Sequence, residues 1–193
     1  MTGMKSTFRV INQMVDDGIL QRYAVAGAVA ALNYIEPTLT DDLDILVGID
    51  HVGQQPGPGL VTLEPVFAYL RKAGYTEFRK EGVVIEGWPV QFLPVANDLD
   101  TESLAQAADI ELDVGDGAPP IKVRILRAEH VVATALTVGR PKDRVRVSQF
   151  LAENAVDLAA LGAVLSRHGL QDKWSKFCVQ TGISNPYEIS LKP

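Results

Sequence analysis

Residues 23–47, YAVAGAVAALNYIEPTLTDDLDILV, decide how the rest of the chain folds. The apolar pattern predicts a short strand over residues 23–26, a turn at Gly27 and a helix over residues 28–34. After a loop, a second strand carries Asp42-Leu43-Asp44 into another apolar run. This strand–helix–strand unit predicts a mixed α/β protein.

Asp42 and Asp44 are separated by one residue on the second predicted strand. Because successive side chains of a strand point to opposite faces, we expect both carboxylates on the same face. Adjacent carboxylates repel each other, and a bound cation relieves that repulsion. Oxygen ligands suit Mg²⁺ or Mn²⁺, and Mg²⁺ commonly shares its shell with substrate phosphates and water. The pair therefore predicts phosphoryl or nucleotidyl transfer.

Gly27 is predicted at the turn between the first strand and the helix. Without a Cβ, the backbone there can approach a ligand closely, and the amides that open the helix from Ala28 can face a phosphate. A glycine at this place also permits a tight turn in a protein that binds no ligand. The carboxylate pair that follows favours the phosphate-binding interpretation.

The glycine turn and the acid pair together resemble a known signature. Gly27-Ala28 at a helix start and Asp42-Leu43-Asp44 on a strand are similar to the motif of the nucleotidyltransferase superfamily, which is built on the polymerase-beta-type core. Residues 128–143 also resemble a helical region of the AbiEii-like branch, whose members are often associated with toxin–antitoxin systems. The resemblance implies a nucleotidyltransferase-like mixed sheet flanked by helices over residues 1–126 and a C-terminal helical subdomain over residues 127–193.

The resemblance also implies a reaction. A nucleoside triphosphate would bind with Mg²⁺ at Asp42 and Asp44, and its phosphates would rest on the Gly27-Ala28 turn. Thr40 occupies the place of a threonine that precedes the acid pair in the family pattern. A hydroxyl of an RNA end, a protein or a small molecule would attack the α-phosphorus and release pyrophosphate.

Three positions depart from the family pattern. Active members carry a third carboxylate on a later strand, and the matching position in residues 89–94 holds Gln91, whose amide oxygen can still contact a metal or substrate. Glu86 on the neighbouring predicted strand is a candidate replacement. Thr38 and Thr137 stand where relatives carry basic residues. These departures favour the alternative of a catalytically impaired module that binds nucleotide or protein, such as a component paired with a cognate toxin or antitoxin.

Residues 139–144, GRPKDR, are the main concentration of positive charge. Arg140 and Lys142 are candidates for holding the triphosphate or the acceptor, because guanidinium and ammonium groups bind phosphate well. The other interpretation is a solvated helix start in which Lys142 pairs locally with Asp143.

The composition sets further bounds. With 24 acidic and 18 basic residues the net charge is −6, so bulk charge does not favour nonspecific nucleic-acid binding. The single cysteine, Cys178, excludes an internal disulfide and a cysteine-based zinc site. No apolar run approaches the roughly 20 residues that span a bilayer, and the start MTGMKSTFRV lacks a signal-peptide core. We expect a cytoplasmic protein with no membrane partner.

Outside these motifs the sequence predicts ordinary elements. Residues 52–60, VGQQPGPGL, are expected to be a loop, either a connector or a lid, and residues 97–111 have helical character. Residues 121–126 are expected to form an edge strand with Lys122 and Arg124 outward. Helices are predicted over residues 5–21, 63–73, 127–137, 141–153, 156–168 and 170–181.

Overall fold

The computed structural model describes residues 2–36, 40–48, 62–113, 115 and 117–188. Thr38 and the predicted loop over residues 52–60 lie outside the described residues. The helices are α1 Thr2–Asp16, α2 Gly27–Ala31, α3 Glu64–Lys72, α4 Asp98–Ala105, α5 Ala128–Val138, α6 Pro141–Ala152, α7 Leu158–Arg167 and α8 Gln171–Thr181. The strands are β1 Arg22–Val25, β2 Leu43–Gly48, β3 Phe78–Arg79, β4 Gly82–Ile85, β5 Trp88–Pro94, β6 Ala108–Leu112 and β7 Ile121–Ile125.

The chain divides into two compact units. The first, here called the sheet unit, comprises Met1–Ala30 and Thr38–Leu126. The second, the helical unit, comprises Ala31–Pro37 and Arg127–Pro193. In the described part of the sheet unit, seven strands form one sheet in the order β3-β4-β5-β2-β1-β7-β6. The predicted mixed α/β class, with helices after the sheet, is confirmed.

Strand β2 lies inside the sheet, between β1 and β5. Ile45 and Leu46 are 0% and 5% exposed although they point to opposite faces, so both faces of the strand are covered. Strand β1 runs antiparallel to β2 and pairs Val25 with Ile45, whereas β5 runs parallel to β2 and pairs Gln91 with Asp44. The first residues of β2 therefore lie beside the end of β1, where the Gly27 turn begins.

The first helix is shorter than the predicted span of residues 5–21. Helix α1 ends at Asp16, and Gly18 follows with a φ of +73°, a left-handed conformation that commonly ends helices. The apolar side of α1 buries Phe8, Ile11 and Met14. Their spacing of three residues places them on one face, so the predicted amphipathic helix packs on the core as expected.

The structure corrects two predictions about residues 97–126. The stretch with predicted helical character contains α4 and then a strand, β6, which pairs antiparallel with β7. Asp109 and Glu111 are exposed in β6 while Ala108, Ile110 and Leu112 are half-buried, so the acidic residues occupy one side of an alternating strand. Because β6 covers β7, the prediction that residues 121–126 form an edge strand is wrong.

The helical unit matches the predicted succession of helices to within two residues at each end. Helix α5 carries a continuous buried surface, and Gly139 ends it in a left-handed conformation with a φ of +68°. Cys178 is 3% exposed in α8 and belongs to the core of the helical unit. None of the helices among the described residues combines the length and apolar character needed to cross a membrane.

Candidate active site at the start of strand β2

Gly27 and Asp44 are in direct contact. Gly27 has a φ of +59°, and a Cβ built on it would lie 2.0 Å from Asp44 Oδ2 and 2.9 Å from Asp44 Cγ. The backbone is tied at the same place, because Ala26 N donates to Asp44 O at 2.9 Å. Both the left-handed conformation and the lack of space restrict this position to glycine. The turn at Gly27 therefore allows the Asp44 carboxylate to lie against the backbone.

Asp42 and Asp44 flank a buried residue. Leu43 is 0% exposed, while both aspartates are half-buried. This alternation is the one expected of a strand whose two carboxylates share a face. Thr40 Oγ1 lies 3.1 Å from Asp42 Oδ1 and 3.2 Å from Asp42 O, so its hydroxyl proton is shared between the carboxylate and the main-chain oxygen of the same residue. Thr40, Asp42, Asp44 and Gly27 are thus brought together, and Ala28 follows as the second residue of the five-residue helix α2.

Gln91 lies beside Asp44 in the parallel pairing of β5 with β2. Its Nε2 donates to Glu81 Oε2 at 2.9 Å. Because an ionised carboxylate only accepts hydrogen bonds, this contact identifies the end of the amide that faces Glu81. A carboxylate therefore lies one hydrogen bond away from the neutral residue that occupies the expected third-carboxylate position.

The sequence predicted that Glu86 lies on a strand next to Gln91, but the structure places it elsewhere. It is in the turn between β4 and β5 with a φ of +51°, and the hydroxyl of Tyr75 donates to it at 2.6 Å. The last pair of the hairpin is Ile85 with Trp88, so Glu86 is at the closed end, away from Gln91. The carboxylate that approaches Gln91 is Glu81 instead, and sequence reasoning missed it.

The signal for Glu81 was present in the hairpin itself. The two-residue turn Glu86-Gly87 sets the register that pairs Val83 with Val90. Extending this register by one residue pair places Gly82, the first residue of β4, opposite Gln91. Glu81 directly precedes Gly82. The prediction needed the turn type, which fixes which residues face each other across a hairpin.

The turn between β3 and β4, residues Lys80 and Glu81, also supplies a cation. Lys80 has a φ of +56°, and its Nζ lies 2.7 Å and 2.8 Å from the two carboxylate oxygens of Asp41. The hydrogen bond to Asp41 raises the pKa of the Lys80 ammonium group, and the negative charges of Asp41 and Asp42 raise this pKa further. The β3–β4 turn thus brings an ammonium group to the residue that precedes Asp42.

The donor set suits a metal that arrives with a substrate. Among the described residues, no three His, Cys, Asp or Glu side chains form a group that could hold a metal ion by themselves. Mg²⁺ is commonly bound through one or two carboxylates, with phosphates and water completing its octahedron. Asp42 and Asp44 fit that partial set, since both are half-buried and Asp44 lies against a backbone without a Cβ.

Arg140 and Lys142 lie in the helical unit at the start of α6. Arg140 Nε donates to Asp143 Oδ2 at 2.7 Å, and Arg146 Nη1 lies 3.3 Å from Asp143 Oδ1. Asp143 is only 1% exposed, so these contacts compensate a buried carboxylate. The local pair with Asp143, which one of the two interpretations assigned to Lys142, is made by Arg140 and Arg146, whereas Lys142 is exposed.

No protein-family model and no curated protein matches the sequence. Seven chains among the solved structures are similar to it, including the following two. An antigenic nucleotidyltransferase-like protein from Paracoccidioides brasiliensis has 15% sequence identity and a TM-score of 0.49, with 91% of this chain and 90% of that chain covered. The antibiotic-resistance factor ANT(2'')-Ia has 15% identity and a TM-score of 0.48, with 95% of this chain and 99% of that chain covered.

Proposed function

We propose that the chain is a nucleotidyltransferase that binds a nucleoside triphosphate with Mg²⁺ or Mn²⁺ at Asp42 and Asp44. The observation that carries the proposal is the contact between the Asp44 carboxylate and Gly27, where a Cβ would lie 2.0 Å from Oδ2. A carboxylate held against bare backbone places a metal ligand beside a surface that a phosphate can approach. Asp42, hydrogen-bonded to Thr40, supplies a second ligand next to it.

In the proposed reaction, an acceptor hydroxyl oxygen forms a bond to the α-phosphorus of the nucleotide. The bond from that phosphorus to the oxygen bridging the α- and β-phosphates breaks, pyrophosphate leaves, and the hydroxyl proton passes to a base. When bound, the metal supplies positive charge that neutralises the transferring group. Asp42 and Asp44 would hold it, and the backbone from Gly27 to Ala28 would bind phosphate oxygens through its amides.

The acceptor in this proposal is a hydroxyl compound of one of three classes: an RNA end, a protein or a small molecule. Membership of the AbiEii-like branch and a cognate toxin or antitoxin partner belong to the same proposal, and the resemblance of residues 128–143 supports them. Gln91 would contact the metal or substrate through its amide oxygen, because its nitrogen is occupied by Glu81.

A second candidate function is a module that binds nucleotide or protein without catalysis. One observation favours it: the position of the expected third carboxylate holds the neutral Gln91, which lies beside Asp44. A neutral amide holds a second metal less tightly than a carboxylate and cannot accept the proton of the attacking hydroxyl. In such a module, Asp42 and Asp44 would bind the metal–nucleotide complex and no transfer would follow.

Transfer of a labelled nucleotide separates the two functions. The protein is incubated with Mg²⁺ and each of the four NTPs labelled at the α-phosphate, together with extract that supplies RNA, protein and small-molecule acceptors. We expect label in a product with the wild type and none with Asp44→Asn. Asp98→Asn, which removes the same charge from an exposed position in α4, is the matched control and is expected to retain transfer. Nucleotide binding without any transfer would contradict the enzyme and support the binding module.

A further inference from the structure

Several carboxylates lie around the candidate site, and their negative charge opposes the binding of an anionic triphosphate. Asp41 and Asp42 directly precede strand β2, and Asp44 is its second residue. Glu81 contacts Gln91, which pairs with Asp44. A triphosphate remains anionic with one divalent metal bound, and carboxylates that do not contact that metal repel it. A protein cation next to the carboxylates would offset this repulsion.

We propose that Lys80 binds the polyphosphate of the nucleotide. The proposal rests on the proposed function, since it assigns a residue to the substrate of that same site. Lys80 lies near the site: its Nζ contacts both carboxylate oxygens of Asp41, and the negative charge of the adjacent Asp42 also acts on this ammonium group. An ammonium group is a compact point charge that binds phosphate oxygens of varied geometry, which suits a mobile polyphosphate.

The β3–β4 turn is held at two points. Lys80 is fixed to the segment that enters β2, and Glu81 is fixed to β5 through Gln91. Lys80 adopts a φ of +56°, a left-handed conformation that favours glycine or asparagine. Lysine disfavours this backbone conformation, yet it is the residue that occupies this position of the turn. The ion pair with Asp41 holds the side chain in place.

The Lys80–Asp41 pair is easily exchanged for a phosphate contact. The two side chains are 55% and 77% exposed, and exposed ion pairs contribute little to stability. The four-carbon stem of lysine has several rotatable bonds, so the ammonium group can leave Asp41 without movement of the turn. In the proposed complex, the ammonium group exchanges this exposed pair for a charge-assisted contact to the polyphosphate.

Lys80→Gly tests this assignment without penalising the turn. Glycine accepts the positive φ, so the variant removes the charge and relieves the backbone conformation. Arg79→Ala is the matched control, because it removes one positive charge from the adjacent residue, whose guanidinium pairs with Glu77 at 3.3 Å. The affinities of the full chain for each of the four NTPs and the corresponding NMPs are measured with Mg²⁺ by isothermal titration calorimetry.

We expect Lys80→Gly to weaken NTP binding by about ten- to a hundredfold, as for loss of a charge-assisted hydrogen bond. Arg79→Ala should remain within about twofold of the wild type, because salt screens a charge that does not touch the ligand. NMP binding should change far less than NTP binding. If the wild type binds an NTP and Lys80→Gly binds it equally well, or if NMP binding falls as much, the assignment of Lys80 is wrong while the proposed function stands. If the wild type binds no NTP, the proposed function is overturned, and the assignment fails with it.

Discussion

Replacing Gly27 by alanine tests the geometry of the candidate site. Two separate costs are expected. The positive φ of +59° penalises any side chain by about 1 kcal/mol, and insertion of a methyl group into filled space costs about 1–3 kcal/mol more. The new Cβ would lie 2.0 Å from Asp44 Oδ2 and 2.9 Å from Cγ, so rotation of the carboxylate alone cannot clear it. We therefore expect the free energy of unfolding to fall by about 2–4 kcal/mol.

The assay is urea unfolding of the wild type and of two glycine variants, with and without Mg²⁺ and NTP. Gly18→Ala is the matched control, because Gly18 has a φ of +73° and nothing within 4 Å of an added Cβ. It should lose about 1 kcal/mol through the backbone alone and keep any stabilisation by Mg²⁺ and NTP. Gly27→Ala should lose that stabilisation, since Asp44 is displaced. Equal unfolding free energies for the two variants, with ligand stabilisation kept in both, would refute the reasoning.

Two further predictions concern the stability of each unit. Asp143→Asn should lower the free energy of unfolding by about 3 kcal/mol in urea, because Arg146, 12% exposed, loses its carboxylate partner. Burial raises the pKa of Tyr23 to about 12. The protonated phenol is therefore favoured in the folded state, and its contribution to stability is complete below pH 10 and is lost as pH rises from about 10 to about 12. Tyr23→Phe should remove this step from the alkaline unfolding profile and cost about 1 kcal/mol at neutral pH, since the hydroxyl donates to Asn12; an unchanged alkaline profile would contradict the assignment.

Local patterns predicted the central part of the fold. The apolar run after Asp44 predicted a strand, and the period of two predicted that Asp42 and Asp44 lie on one side of it. The glycine turn followed from a short strand and a short helix joined by Gly27. Each of these features involves residues that are close in sequence. The regular geometry of strands and turns is therefore enough to predict them.

Contacts between distant residues could not be predicted in the same way. Lys80 reaches Asp41 across 39 residues, and Glu81 reaches Gln91 across a hairpin whose register depends on its turn type. Strand β6 was missed because helical character was assigned to the whole of residues 97–111, although acidic residues such as Asp109 and Glu111 are compatible with the exposed side of a strand. The register of the β4–β5 hairpin decides that Glu81 rather than Glu86 approaches Gln91, and composition does not reveal that register.

The central claim is that Asp44 helps to hold a metal-bound nucleoside triphosphate. Calorimetric titration of the wild type with each NTP, in Mg²⁺ and in excess chelator, tests it most directly, with Asp44→Asn beside Asp98→Asn as the charge-matched control. We expect binding that requires Mg²⁺, persists in Asp98→Asn and is lost in Asp44→Asn. Wild-type binding that is unchanged by the chelator or by Asp44→Asn, or no binding of any NTP, would contradict the claim.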